Sequence, residues 1–395
     1  MYRFQQSPTD PAFVQNPYPA YARARAAGGA LVWWEDYAMP CALGHGAVNA
    51  VLRDRRFGRE IPAELASPPP AHLALFYAVE DHSMLELEPP RHTRLRGLVL
   101  RAFTTQRIAD LAPGITALTH RLIDAFPQDA PFDLLPAFAR PIPVITIARL
   151  LGVPEDRAGD LLVWSNAMVG MYQAKRTRQM EEDAARAAAD FSAFLTGYID
   201  ARRHAPAEDL ITHLIAAGQD GARLSTPELI STCILLLNAG HEATVHSIGN
   251  ATRLLLKQPD PRAHLAPDRI AATVEELLRL DPPLHMFTRY AYEEVALHGH
   301  TFRRGDRIGL LLAAANRDPA QWQAPDRFDP ARPAKPHAAF GAGLHFCVGA
   351  ALARLELQIA LKTLFDRCPD LRLSGQPRFA DSYHFHGLSR LMVRV

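Results

Sequence analysis

The segment FGAGLHFCVG, residues 340–349, sets Cys347 among glycines, aromatics and a histidine, directly ahead of the helical run GAALARLELQIALKTLF. A thiol just before a helix N-terminus meets unpaired backbone N–H groups and the positive end of the helix dipole, and both favour a thiolate. Gly341, Gly343 and Gly349 let the backbone approach a flat neighbour closely and offer N–H donors to a sulfur anion. Two chemistries use such an arrangement. A nucleophilic cysteine needs a general base, and His345, two residues away, points elsewhere if the segment is extended. A thiolate ligand to heme iron needs only a dry, donor-lined pocket.

The other cysteines, Cys41, Cys233 and Cys368, are far apart and form no CxxC pair. That argues against a zinc cage or a thioredoxin-like motif, and CxxCH for covalent heme attachment is absent. They read as small buried hydrophobes in a reducing compartment. The 395 residues carry a net charge of +1, with 48% hydrophobic and 22% charged residues. Such a composition suits a soluble globular protein and gives no bulk attraction to nucleic acid or an anionic membrane. MYRFQQSPTDPAF has none of the parts of a signal peptide, and LISTCILLLNAG is too short for a membrane span. The expectation is a cytoplasmic protein with no membrane anchor and no nucleic-acid partner.

Phe340, Gly341, Gly343, His345, Cys347 and Gly349 fill F-G-x-G-x-H-x-C-x-G, which resembles the heme-binding loop of the cytochrome P450 family, in its soluble bacterial class. The resemblance implies heme b (iron protoporphyrin IX) with Cys347 as the metal ligand. Three further stretches match in the family's order. Glu276-Leu277-Leu278-Arg279 resembles the ExxR motif, whose acid and arginine can pair at i and i+3. Alone it would read as a solvated surface pair; in the family it is buried with a third arginine, for which Arg327 in PDRF is first choice and Arg332 second.

PPRHTRLRGLV sets His92 and Arg96 one helical turn apart, the spacing the family uses for donors to the heme propionates. Arg289 in FTRYA and His345 match its other propionate contacts. AGHEAT, Ala239–Thr244, resembles the pattern of small residue, glycine, any residue, acid, threonine, with Ala243 where the family has threonine. Ala239 and Gly240 would leave space over the heme, and Glu242 matches the acid associated with proton delivery. The family's hydroxyl helps hold the water chain that brings protons for dioxygen activation. Thr244 is adjacent but about 100° round the helix, so it cannot simply take over. The substitutes left open are a substrate hydroxyl, a water held by Glu242, Asn238 or His241, another side chain, or a substrate shape that needs Ala243.

The family's topology implies substrate contacts from Phe76, Tyr77 and Val79, from Met168 and Met171, and from Leu235 and Asn238. His285, Met286 and Phe287 after ExxR, with His384 and Phe385 near the C-terminus, complete that set. The pocket would be mainly apolar with a few polar points, suited to a lipophilic small molecule. The implied activity is a monooxygenase that inserts one oxygen atom from O2 by hydroxylation, demethylation or epoxidation. Electrons would come from NAD(P)H through a ferredoxin reductase and a ferredoxin, docked near the cysteine with Arg354 and Arg101 as candidate contacts. Two alternatives stay open: a peroxide-using peroxygenase or isomerase, which Ala243 favours, and a cysteine hydrolase without heme.

No repeat and no long polar linker divides the chain, so residues 1–395 read as one domain. Helical periodicity marks ITALTHRLIDAF, RQMEEDAARAAADFSAFLTGYIDARR and APDRIAATVEELLRL. The longest helix should start at STPELI, with Ser225 or Thr226 capping, Pro227 in the first turn and Glu228 closing a capping box. It should run to about Lys257, before Pro259, a length of roughly 45 Å. Its middle is apolar all round and should be buried. MFTRYAYEEVALHGHTFRRGDRIGLLL reads as β structure, with GHTFRRGD as a turn-rich hairpin. The fold class is mainly α with a small β portion. The resemblance implies the triangular P450 fold, with the long helix over the heme.

Overall fold

Ser225 caps a helix of 30 residues, Thr226–Leu255, in the computed structural model, which describes residues 1–173, 176–219 and 222–395. Ser225 Oγ accepts the Glu228 N–H while Glu228 Oε2 accepts the Ser225 N–H, so the capping box forms as the sequence indicates. Seven helices position the site. They are α1 (Tyr18–Gly28), α2 (Arg91–Ala102), α3 (Pro141–Leu151), α4 (Arg178–His204), α5 (Thr226–Leu255), α6 (Ile270–Leu280) and α7 (Ala350–Arg367).

Helix α5 crosses the centre of the fold and packs against α3, α4 and α7. Leu229, Cys233, Ile234, Leu237, Ile248 and Leu255 along it are buried. It is not apolar all round, however. Glu242, His246, Asn250 and Arg253 stand at i, i+4, i+8 and i+11 and share one face. The apolar run read from the sequence covers only its first half. Cys41, Cys233 and Cys368 are buried, and burial raises their thiol pKa values, to about 12 for Cys41 and Cys233. That agrees with their reading as small hydrophobes. Among the described residues no helix is long and apolar enough to cross a membrane.

The β portion centres on one mixed sheet of β1 (Tyr2–Phe4), β2 (Leu31–Trp34), β3 (Met39–Ala42), β4 (Phe57–Gly58), β5 (Met286–Ala291) and β6 (Arg307–Leu311). Their spatial order is β1-β2-β3-β6-β5-β4, with β1–β2 and β3–β6 parallel and the other pairs antiparallel. The pairing of Ile308 with Arg289 fixes the register of β5, and Arg289 is buried. The expected hairpin is shifted. Its strands are Val295–Leu297 and His300–Phe302, and the turn is His298–Gly299, both with positive φ. GHTFRRGD therefore runs from the end of the turn through a strand into the loop to β6, because the left-handed turn conformation falls at its first residue, where Gly299 accepts it freely.

Helix α7 buries Leu352, Leu357, Leu361 and Leu364, and with them Glu356, only 1% exposed. Burial raises the Glu356 carboxyl to about 8, with Thr146 of α3 as its polar neighbour. In the unfolded chain the same group ionises near ~4.3. Between these values the folded protein keeps a proton that the unfolded chain sheds. Stability from this group is complete below the unfolded value and is lost as pH rises toward about 8. Stability from chemical unfolding is expected to fall across that window by up to about 1.4 kcal/mol per pH unit from this site. Glu356→Gln should flatten the slope, and an unchanged slope would place the loss elsewhere.

Candidate functional site

Two short 3₁₀ turns, Ala338–Phe340 and Gly343–His345, shape the segment ahead of α7. Cys347 N–H donates to Phe340 O at 3.0 Å and closes the loop. Gly341 and Gly343 both have φ of +67°, where a side chain would be strained. A Cβ on Gly343 would also lie 2.2 Å from Leu52 O, so the loop seats against its neighbour only with glycine there. Cys347 is accessible at its surface yet surrounded by protein, so it looks into an enclosed space. Burial raises its thiol pKa, while the N–H groups of Gly349 and Ala350 and the charges of Arg96 and Arg354 pull it down without winning. A bound metal cation would complete that reversal, since a coordinating thiol is deprotonated.

A set of basic side chains gathers beside this loop. His92 on α2 is buried, and its ring centroid lies 4.4 Å from that of His345. His345 Nε2 hydrogen-bonds Glu88 Oε1 at 2.8 Å. The Arg59 backbone N–H donates to the same carboxylate at 2.7 Å. Arg96 reaches back from α2 and donates to Phe346 O at 2.6 Å. Arg289 donates to Thr288 O at 2.8 Å and is in no ion pair among the described residues. Burial, with Arg59 nearby, lowers its pKa to about 9. His92 is lowered to about 4 by burial, His345 and Arg96, and its buried Nδ1 has no partner among the described residues. A desolvated guanidinium without a carboxylate, beside an orphaned imidazole nitrogen, is a donor set awaiting carboxylates. Heme propionates fit that set, and the accessible thiol fits the metal they flank.

On α6 the Glu276–Arg279 pair is buried. Arg279 Nε and Nη2 donate to Glu276 at 2.7 and 2.8 Å, and Nη1 donates to Asn316 O and Pro325 O at 2.7 and 2.8 Å. The third arginine is Arg332, whose Nε lies 3.5 Å from Glu276 Oε2. Arg327, the first choice from sequence, has an exposed side chain and offers only its carbonyl, to Arg279 and Arg332 at 3.4 and 3.1 Å. The loop turns at Ala324, which has a positive φ, and the turn carries the Arg327 side chain outward. Arg354 is also committed: it pairs with Glu275 at 2.6 Å and lies over the Phe340 ring, so it is not a free docking charge.

Across the site, Glu242, His241, Val245 and His246 of α5 line a cavity of about 740 Å³. Of the residues the family's topology assigned to the pocket, Met286, Phe287, His384 and Phe385 line it. Phe76, Val79, Met168, Met171 and Leu235 are packed into the core, with Tyr77 against it; Asn238 turns to Met168 Sδ at 3.8 Å. His285 is fully buried outside the cavity, its ring tilted against that of His386 at 4.3 Å, because Leu312 N–H holds its backbone and Tyr21 reaches its ring. Gly240 also has a different job. A Cβ there would lie 2.5 Å from Ile147 Cδ1, so it lets α5 approach α3, while Ala239 beside it is exposed.

Glu242 is clasped from both sides, by His241 Nε2 at 3.2 Å and His246 Nε2 at 3.0 Å. Burial pushes its pKa up, but the two imidazoles outweigh that and hold it well below the usual carboxylate range. Thr244 Oγ–H donates to Gly240 O at 2.9 Å, so the hydroxyl next to Ala243 is spent inside its own helix. Arg59, Glu86, Tyr172 and His246 are lining residues absent from the sequence reading. His246 had a legible signal, i+4 from Glu242 on one helix face. Arg59 and Glu86 had none, because their convergence depends on how distant loops meet.

A family model described as Cytochrome P450 matches residues 270–379. The Cytochrome P450 monooxygenase PikC of Streptomyces venezuelae is 39% identical over 383 residues, covering 92% of this chain and 87% of its own length. The Vitamin D(3) 25-hydroxylase of Pseudonocardia autotrophica is 38% identical over 399 residues, 97% of this chain and 94% of that protein. The solved structure of P450BioI in complex with hexadec-9Z-enoic acid ligated acyl carrier protein superposes with a TM-score of 0.90. It is 34% identical, over 97% of this chain and 99% of its own.

The arginine assignment has a direct test. Arg332→Ala removes hydrogen bonds to Ala324 O and Arg327 O and the charge beside Glu276, and is expected to cost about 1–3 kcal/mol of unfolding free energy. Arg327→Ala should stay within about 0.5 kcal/mol of the parent. Urea unfolding of both variants separates them, and the reverse order would restore Arg327 to the cluster.

Proposed function

The chain belongs to the cytochrome P450 family, and from that premise we propose that it inserts one oxygen atom from O2 into a lipophilic small molecule that carries a polar group. It is an oxidoreductase of the monooxygenase class with heme b as cofactor. Bound heme supplies the oxygen activation and bond cleavage. Cys347 would hold it by the thiolate, with His92, Arg96, Arg289 and His345 taking the propionates. The observation that carries this is Arg289, a buried guanidinium with no carboxylate partner among the described residues, in the same site as an accessible thiol.

Glu88 holds His345 and so sets which ring nitrogen faces the propionate side. The cavity's apolar lining from Leu135, Val245, Phe287, Phe385 and Leu388 would exclude water and orient an apolar body. Arg59, Glu86, Tyr172 and His384 place polar groups in the same wall, and Arg59 donates to Glu86 at 2.5 Å. About 740 Å³ suits a drug-sized or larger ligand, and kinship with a vitamin D(3) hydroxylase supports a bulky lipophilic substrate. Electrons would come from NAD(P)H through a ferredoxin and its reductase.

Ala243 and the spent Thr244 hydroxyl favour a second reading, in which peroxide replaces O2. A hydrolase built on Cys347 finds less support. Burial raises the thiol, His345 is engaged by Glu88, and among the described residues no imidazole hydrogen-bonds Sγ.

The reduced, carbon monoxide-bound protein is expected to give the red-shifted Soret band of a thiolate-ligated heme, and Cys347→Ser to lose it. A parent protein without that band would refute the reading. Turnover of vitamin D3 as a probe, with ferredoxin, reductase and NAD(P)H against peroxide alone, separates the two oxidants. Activity with peroxide only would favour the second.

A further inference from the structure

We propose that Asp281, His285 and His386 form a binding site for one divalent transition-metal ion, zinc by its ligand chemistry, which clamps the C-terminal turn behind the substrate cavity. The site shares no residue with the Cys347 loop or its basic neighbours and goes beyond the monooxygenase reading.

The three residues come from two distant segments. Asp281 follows the last turn of α6, His285 leads into β5, and His386 sits in the C-terminal turn. They are 3%, 0% and 7% exposed, and one ligand atom from each lies within 4.8 Å of the other two. The main chain assembles them. His386 N–H donates to Pro283 O at 2.7 Å, and Leu284 forms a β-bridge with Phe385. From α5, Asn250 Nδ2 donates to His386 O at 2.8 Å.

Two observations separate this cluster from an ordinary buried hydrogen-bond network. First, His285 Nε2 is buried and has no partner among the described residues. The ring's other nitrogen, Nδ1, lies 3.3 Å from the Tyr21 hydroxyl, which leaves Nε2 as the ligand atom. An outer hydrogen bond of this kind fixes which imidazole nitrogen a metal takes. Second, His386 Nε2 stands 3.5 Å from Asp281 Oδ1. A charge-assisted hydrogen bond is ordinarily shorter, about 2.7–2.9 Å. Two ligands on one tetrahedral ion with bonds of about 2.0–2.1 Å stand about 3.3 Å apart. The observed spacing is therefore nearer to a shared metal than to a hydrogen bond. Burial also keeps both imidazoles neutral, the form that binds a metal.

The surroundings complete the site. Asp281 Oδ2 accepts from Arg253 Nη2 at 2.7 Å and Oδ1 from Tyr18 O–H at 2.6 Å, which fixes the carboxylate and leaves Oδ1 a lone pair. Of the cations nearby, Arg253 is spent on this carboxylate and Arg317 pairs with Asp326 at 3.1 Å. His386 stacks on Phe379 at 3.8 Å, which sets its ring plane. Two imidazoles and one carboxylate suit zinc and leave a fourth position for water. Tyr18 and Tyr21 line a cavity of about 340 Å³ whose wall includes the exposed Ala22, Ala26 and Asp326, an entry route for ion and water.

His384 and Phe385, next to His386, line the substrate cavity, as do Met286 and Phe287, next to His285. None of the three ligands lines it. The metal is thus a positioning element: it ties two stretches of the cavity wall to the end of α6.

The test uses the holoenzyme, expressed without a histidine tag, stripped with a chelator and dialysed against zinc chloride. Elemental analysis should find one zinc per chain besides iron. His285→Gln and His386→Gln should each lose that zinc, and Tyr21→Phe should weaken its binding about tenfold through the outer hydrogen bond. Added zinc should raise the thermal unfolding midpoint of the parent and leave those of the two histidine variants unmoved. X-ray absorption at the zinc edge of the parent should show nitrogen and oxygen neighbours at about 2.0–2.1 Å with imidazole scattering. That spectrum decides the matter even where a variant fails to fold. A zinc-free parent, sulfur neighbours at about 2.3 Å, or zinc retained by both histidine variants would each overturn the site. A parent without the thiolate Soret band would overturn the monooxygenase reading and leave this one standing.

Discussion

A single buried guanidinium ties the site's loop to the helical body. All five N–H bonds of Arg279 are spent: two on Glu276, one turn back on α6, and three on the carbonyls of Asn316, Pro325 and Arg327. Glu276 in turn accepts the Asp329 N–H at 2.9 Å, and Asn316 Oδ1 accepts the Ala338 N–H at 2.6 Å. The chain then reaches Phe340, whose carbonyl receives the Cys347 N–H. The position of the thiol is therefore set, bond by bond, from α6. A charge this deep is tolerable only when each donor is satisfied, and so the irregular loop around it holds one shape.

The residues proposed to flank the cofactor follow the opposite logic. Arg289 and His92 are buried with donors left over, and Glu88 and Glu86 engage His345 and Arg59 from behind. The surplus is positive on the side where carboxylates would enter, and the acids stand where they fix the cations without cancelling them. Such a surplus is costly in the protein alone and favourable once two carboxylates join it.

Helix α5 combines the two patterns. Its first half is close-packed, to the point that Gly240 is needed against Ile147, while its second half carries the polar stripe from Glu242 to Arg253. Glu242 stays ionised because two imidazoles outweigh its burial, and one of them, His246, is packed against the backbone of Gly387 at the C-terminal turn.

The glycine-rich loop ahead of Cys347, the Glu276–Arg279 pair and the ends of α5 were legible in the sequence, because each depends on neighbours a few residues away. Glycine at a left-handed φ, a capping box and an i, i+3 ion pair are local geometry. Choices between distant segments were not legible. Arg332 rather than Arg327 meets Glu276 because the turn at Ala324 points one side chain outward. His285 left the pocket for a buried cluster with His386 and Tyr21, and Arg59 and Glu86 entered it from loops far along the chain. The sequence by itself singled out the thiol proposed as the metal ligand and the basic residues proposed to flank it. Only tertiary packing decided which side chains share the cavity, since contacts across long chain separations carry no local periodicity.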